Sequence, residues 1–128
     1  MKKLILIILT LCLTTSLFSQ GISVEYNKLT KEANQQRIDE NYKKAVELYT
    51  KAFASNGDKA KVYDRYMLAT CWTKLNNIDS AFFQLERIAF VGKFSHYDLI
   101  EGDANLIPLR TDKRWKIIID KMKQNYKD

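Results

Sequence analysis

The chain has few of the residues that interrupt helices, cross-link segments or catalyse reactions. Its 128 residues include one proline, four glycines, two cysteines and one histidine. A single histidine excludes a metal site built on two histidines, and four dispersed glycines exclude a glycine-rich phosphate loop. No strand-like alternation of apolar and polar residues persists, and helical spacing dominates. The sequence therefore predicts uninterrupted helices within one domain.

The first twenty residues differ in composition from the rest. MKKLILIILTLCLTTSLFSQ joins two lysines, an apolar run over Leu4–Leu13 and small polar residues. This order is typical of a secretory signal, because the run is about half of the ~20 apolar residues that span a membrane. We expect cleavage near Ser19 or Gln20, and a periplasmic or secreted protein without membrane insertion afterwards. The alternative is a retained N-terminal anchor. The predicted division is a signal peptide over 1–20 and a helical domain over 21–128.

Processing changes the cysteine count and the charge. Removal of Cys12 leaves Cys71 alone among apolar residues of a predicted helix, so the domain is held together by packing rather than by a disulfide. We expect this thiol to be buried and inert. Removal of Lys2 and Lys3 leaves 19 basic residues against 15 acidic ones, a net charge of +4. The basic residues are dispersed beside acidic ones, which indicates a solvated surface rather than a nucleic-acid interface.

Apolar residues recur at helical spacing along four segments. The predicted helices run over about 24–38, 42–54, 59–75 and 78–90. The polar stretches DEN, SNGD and NN predict the turns between them, and Gly57 fits a left-handed helix cap. The order is helix, tight turn, helix and loop, and then the same again.

The second and fourth helical segments repeat at a spacing of 36 residues. NYKKAVELYTKAF begins at Asn41 and NIDSAFFQLERIA begins at Asn77. In this register the aligned pairs are Tyr42 with Ile78, Ala45 with Ala81, Val46 with Phe82, Tyr49 with Leu85 and Ala52 with Ile88. One helix hairpin cannot bury its own apolar face, so we expect the two hairpins to stack.

A repeated helix hairpin of about 34 residues resembles the tetratricopeptide repeat family. The matching positions are Ala33, Tyr42, Ala45, Tyr49 and Ala52 in the first hairpin and Leu68, Ala69, Trp72, Ala81, Leu85 and Ile88 in the second. The chain departs from the family because neither repeat ends in proline, and Glu32 and Gln36 replace apolar residues. The resemblance implies an all-α fold, a short right-handed superhelix. Repeat 1 would cover about 26–57, repeat 2 about 60–92 and a C-terminal cap 93–128.

The C-terminal segment resembles a recurring closure of such arrays. Pro108 prevents one helix from running straight through it. Thr111 and Asp112 are suited to cap a last helix. The apolar stripe predicted for that helix consists of Trp115, Ile118, Ile119, Met122 and Tyr126.

In the tetratricopeptide family the first helix of each hairpin lines a concave groove, so the resemblance implies a peptide-binding groove here. The candidate groove residues are Asn27, Thr30, Asn34 and Arg37 from the first hairpin and Tyr63, Tyr66, Thr70 and Lys74 from the second. Amides suit a peptide backbone, tyrosines suit its side chains, and Arg37 or Lys74 suits a carboxylate. The alternative is that these residues are simply solvated.

These observations favour an exported, non-enzymatic scaffold or adaptor that binds a protein or peptide and uses no cofactor, metal or nucleic acid. One alternative is a stand-alone version of the N-terminal adaptor of exported hydrolases, which the chain also resembles and which would position a partner enzyme. Another is a small enzyme that uses Cys71, formally with His96, or the pair Glu101 and Asp103. A homo-oligomer, with the stack completed across two chains, is also open.

Overall fold

The computed structural model describes residues 22–128, so the predicted signal peptide lies outside the described residues. Within this range the chain is all-α and has no strand, which confirms the predicted fold class. None of the helices in this part of the chain is long and apolar enough to cross a bilayer. The elements are α1 (Val24–Ile38), α2 (Tyr42–Ser55), α3 (Val62–Lys74), α4 (Ile78–Glu86), a π-helical turn (Arg87–Val91), α5 (Tyr97–Gly102), a 3-10 helix (Ala104–Leu109) and α6 (Lys113–Lys127).

The first four helices form two packed pairs, α1 on α2 and α3 on α4. Each pair is closed by the same turn. Glu40 and Asn76, 36 residues apart in the sequence, take left-handed φ angles of 61° and 58°. The amide of Asn41 donates to the carbonyl of Gln36 at 2.8 Å, and the amide of Asn77 donates to the carbonyl of Trp72 at 2.9 Å. The 36-residue register therefore holds in the backbone as well as in the side chains.

The aligned apolar positions form the core of both pairs. Ala45, Tyr49 and Ala52 are wholly buried, and so are their counterparts Ala81, Leu85 and Ile88. Val46 and Phe82 are buried as well, whereas Tyr42 and Ile78 are half-buried at the start of their helices. Alanine at the contact lets two helices approach closely, and the larger residues fill the space between the pairs.

Tyr26 ties α1 to the start of α3. Its hydroxyl donates to a carboxylate oxygen of Asp64 and accepts from the amide of Lys61 at 2.9 Å. Its ring stacks on Phe53 of α2 with centroids 6.2 Å apart. The wholly buried Tyr26 side chain thus contacts three helices, and its hydroxyl is satisfied both as a donor and as an acceptor.

The fourth helix differs from the sequence prediction, which extended it to Phe90. The α-helix ends at Glu86 and a π-helical turn follows. Two contacts explain the change. Gly92 lies so close to α3 that an added Cβ would meet Val62 Cγ2 at 2.9 Å, and Asn125 of α6 donates to the carbonyl of Ala89 at 2.8 Å. The wider turn positions the chain for both contacts, and the side-chain amide satisfies a carbonyl near the helix end.

The C-terminal segment closes one end of the second pair. Asp112 caps α6 as predicted, since its carboxylate accepts from the amide of Arg114 at 2.9 Å. The Arg114 guanidinium also reaches Asp79 of α4 at 2.8 Å and lies 4.3 Å from the Phe82 ring centroid. Of the predicted apolar stripe, Ile118, Ile119 and Met122 are buried and Trp115 is half-buried. Tyr126 is 69% exposed, so its place in the buried stripe was wrong: its ring lies at the surface, edge-on to the ring of Tyr97 with centroids 6.0 Å apart.

Candidate peptide-binding groove

The predicted groove residues occupy one face of α1 and one face of α3, and these two helices are in contact. Within each set the spacing is three or four residues, which keeps the side chains on one side of a helix. Burial raises the pKa of Tyr49 and of Tyr66, and the nearby charge of Arg37 opposes both rises. The Arg37 guanidinium on α1 therefore lies near side chains of α2 and α3, and the two candidate faces adjoin.

The eight candidate residues divide by exposure. Asn27, Tyr63 and Lys74 are exposed, and Asn34 and Arg37 are half-buried. Thr30, Tyr66 and Thr70 are buried, at 9%, 3% and 4% exposure. The two threonine hydroxyls donate to carbonyls of their own helices, those of Asn27 and Met67. The three buried residues thus have almost no surface to offer a ligand, and we define the open groove as Asn27, Asn34, Arg37, Tyr63 and Lys74.

Tyr66 is withdrawn from the groove by the chain itself. Its hydroxyl donates to the carboxylate of Asp103, which precedes the 3-10 helix and also accepts from the amide of Asn105 at 2.8 Å. The 3-10 helix packs on α3. The C-terminal segment therefore covers part of the face that the sequence assigned to a ligand. No local pattern indicates this contact, because it joins residues 37 apart in the sequence.

Arg37 is the half-buried cation of the open groove, and a neighbouring side chain holds it in place. Its Nε and one terminal nitrogen donate to Asn34 Oδ1 at 3.2 and 2.8 Å. No carboxylate within residues 22–128 lies within 4 Å of it. The Asn34 amide holds the guanidinium in place but leaves its charge uncompensated, so a carboxylate from a ligand would complete the pair. Tyr63 lies on the adjoining face, 58% exposed, with its ring edge-on to Tyr66.

Of the residues proposed for an enzyme, Cys71 is buried, His96 is exposed, and the two carboxylates contact other side chains. Cys71 is wholly buried, as predicted, and burial raises the pKa of its thiol to about 11, so the reactive thiolate is scarce at neutral pH. His96 is exposed, with its ring against Phe94. Asp103 binds Tyr66, and Glu101 Oε1 lies 3.9 Å from a lysine ammonium. Over the range that the structure describes, no group of three histidine, cysteine, aspartate or glutamate side chains is placed to hold a metal ion.

A cavity on the other side of α3, lined by both charged and apolar side chains, was missed by the sequence interpretation. It is lined by Arg65 of α3 and Arg87 of the π-helical turn, together with aromatic side chains. The available signal was an arginine at a core-facing position, three residues before Leu68 and seven before Trp72. Such a spacing places the guanidinium on an apolar face, where a buried charge requires an explanation.

Comparison of the chain with protein-family models, with curated proteins and with solved structures finds no match. Function therefore rests on the geometry of the chain itself.

Proposed function

We propose that the chain is an exported, non-enzymatic, tetratricopeptide-like scaffold that binds a protein or a peptide through the open groove. Two stacked helix pairs with one register and one turn geometry support a repeat architecture. The proposed arrangement is a short right-handed superhelix of two hairpins, closed by α5, the 3-10 helix and α6. A periplasmic or secreted location and a signal peptide over residues 1–20 belong to the same proposal.

The observation that carries this proposal is the state of Arg37. A half-buried guanidinium that is oriented by a neighbouring amide and lacks an acidic partner among the described residues is suited to a carboxylate supplied from outside. Asn27 and Tyr63 provide an exposed amide and an exposed aromatic ring on the adjoining faces. These groups match an extended peptide with an acidic side chain or an acidic end, because amides bind its backbone and a ring covers its side chains.

The test is a capture experiment with the tagged chain, purified from the exported fraction of the cells that produce it. The groove variant carries Arg37→Gln and Tyr63→Ala. The matched control carries Lys51→Gln and Tyr126→Ala, which removes the same charge and the same type of ring from exposed positions elsewhere. All three proteins are first compared by circular dichroism and thermal unfolding, so that loss of capture is not loss of folding.

The expected result is a discrete set of proteins captured by the wild type and by the control but lost by the groove variant. Equal capture by all three would contradict the proposed site. Synthetic peptides from the captured partner then separate the contributions: neutralising its acidic residues should weaken binding to the wild type about tenfold and should leave binding to the groove variant unchanged.

A further inference from the structure

A cavity of about 370 Å³ lies between α2, α3 and α4. On α3 it is lined by Arg65, Leu68 and Trp72, which follow each other at spacings of three and four residues. Tyr63 and Tyr66, on the groove side, lie on roughly the opposite face of the same helix, since each residue advances by about 100°. The cavity is therefore a different surface from the open groove.

Arg65 is the buried charge of this cavity, with only 8% of the residue exposed. Its guanidinium donates to Gln84 Oε1 at 3.0 Å and to the carbonyl of Asp58 at 2.7 Å, and it lies 5.0 Å from the Phe53 ring centroid. Two of its five N–H donors are thus used. No carboxylate among residues 22–128 lies within 4 Å. A buried guanidinium without an ionic partner is costly, so a bound anion would stabilise it.

A second guanidinium faces the same space. Arg87 lines the cavity from the π-helical turn and is exposed. Burial lowers the pKa of Arg65, and the positive charge of Arg87 lowers it further, which shows that the two charges act on each other. Asp58 supplies the single carboxylate of the lining. Two positive groups against one negative group leave one uncompensated positive charge.

The apolar part of the cavity lining is mainly aromatic. Phe53, Trp72 and Phe83 surround it, and Phe83 is 57% exposed at its edge. A second, mainly apolar hollow of about 260 Å³ shares Phe83 and Arg87 with the cavity, and its other lining residues are Glu86, Phe90 and Val91. An inorganic anion alone would leave these rings against water, whereas a molecule with an apolar body and one acidic group would use both parts of the lining.

We propose that this cavity binds an organic carboxylate with an aromatic or aliphatic body, with Arg65 and Arg87 on the carboxylate and Phe53, Trp72 and Phe83 around the body. Arginine forms two parallel hydrogen bonds to a carboxylate, which suits the unused donors of Arg65. The same chemistry is offered by a free small acid and by the last residue of a peptide that ends in an apolar side chain.

The test uses the fluorescence of Trp72 in the full chain carrying Trp115→Phe, which leaves Trp72 as the only tryptophan. The probes are N-acetyl-phenylalanine, its neutral amide, acetate and inorganic phosphate. We expect saturable binding of N-acetyl-phenylalanine, with the amide, acetate and phosphate each at least about tenfold weaker, because each lacks either the charge or the body. Equal binding of the acid and its amide, or of the acid and phosphate, would overturn the proposal.

The variant for this test is Arg87→Gln, because Arg87 is exposed. Within residues 22–128 its side chain makes no hydrogen bond, and the carbonyl that accepts from the amide of Gly92 is unchanged by the substitution. Its affinity for the acid should fall about tenfold with unchanged thermal unfolding. The matched control, Lys31→Gln, removes an exposed charge on α1 and should leave the affinity unchanged; an unchanged affinity in Arg87→Gln would contradict the site. A short peptide ending in phenylalanine distinguishes the two sources of the carboxylate. If the peptide binds more tightly than N-acetyl-phenylalanine, the ligand is the C-terminus of a peptide chain; if the two bind equally, the ligand is a small acid.

Discussion

Replacement of a buried tyrosine by phenylalanine should raise the free energy of unfolding at Tyr49 and lower it at Tyr26 and Tyr66. Tyr26 and Tyr66 each place the hydroxyl on a carboxylate, and Tyr26 also accepts an amide hydrogen bond. Tyr49 is wholly buried, and its hydroxyl has no hydrogen-bond partner among the described residues. Replacement by phenylalanine therefore removes satisfied polar atoms at two positions and an unsatisfied one at the third.

The magnitudes follow because leaving a buried polar atom unpaired costs more free energy than a typical hydrogen bond contributes. An unsatisfied buried hydroxyl costs about 1–3 kcal/mol, so Tyr49→Phe should raise the free energy of unfolding by about 1 kcal/mol after the small void left by the missing oxygen. Tyr26→Phe loses two hydrogen bonds, one of them to the charged Asp64, and should lower the free energy of unfolding by about 2 kcal/mol. Tyr66→Phe should lower it by about 1 kcal/mol, because Asp103 keeps the Asn105 amide.

The assay is urea unfolding of the full chain at pH 7, followed by circular dichroism and by tryptophan fluorescence. Coincident transitions by the two probes would indicate two-state unfolding, from which free energies of unfolding can be derived. Thermal midpoints should move by about 4–8 °C per kcal/mol for a domain of this size. If Tyr49→Phe destabilises the protein as much as Tyr26→Phe does, the Tyr49 hydroxyl is hydrogen-bonded in solution. The nearby Arg37 would then be its partner, and one of the remaining N–H donors of the guanidinium would no longer be available to a ligand, while its charge would stay uncompensated.

Three further predictions address packing and the thiol. Gly92→Ala should destabilise the fold by about 1–3 kcal/mol because its Cβ would meet Val62, whereas Gly102→Ala, with open space around it, should be nearly neutral in the same unfolding assay. Native Cys71 should react with a thiol reagent at neutral pH only as fast as the protein opens, and rapid labelling would contradict its burial. Because burial raises the pKa of Cys71 from 9.0 to about 11, the unfolded state loses this proton first as pH rises. The thiol should therefore contribute a fall in stability of about 2–3 kcal/mol between pH 9 and 11, in addition to the fall from the buried tyrosines, whose pKa values are also raised. Cys71→Ala should lose less stability than the wild type over that interval, and identical slopes would refute the assignment.

The helices and their repeat could be predicted from the sequence because their signals are local. Apolar spacing indicates the buried face of each helix, and the 36-residue register follows from residues such as Ala45 and Ala81 that face the same kind of contact in both hairpins. The cap at Asp112 and the left-handed Gly57 likewise depend on only a few neighbouring residues.

The candidate site could be predicted only in part. Helical spacing placed Asn34 and Arg37 on one face of α1 and Tyr63 on one face of α3, and the resemblance to the tetratricopeptide family implied that the two faces line one groove. It did not show that Tyr66 is covered, because the cover comes from Asp103 in a segment distant in sequence.

The sequence by itself determined that this is a helical protein, roughly where the first four helices lie, and which side of each of them is apolar, since these properties arise between residues three or four positions apart. Only the tertiary structure decided which polar residues on those helices stay accessible, which are enclosed, and that Arg65 and Arg87 meet across a cavity. The physical reason is that accessibility and charge compensation depend on which distant segments pack together, and that packing is a property of the whole chain.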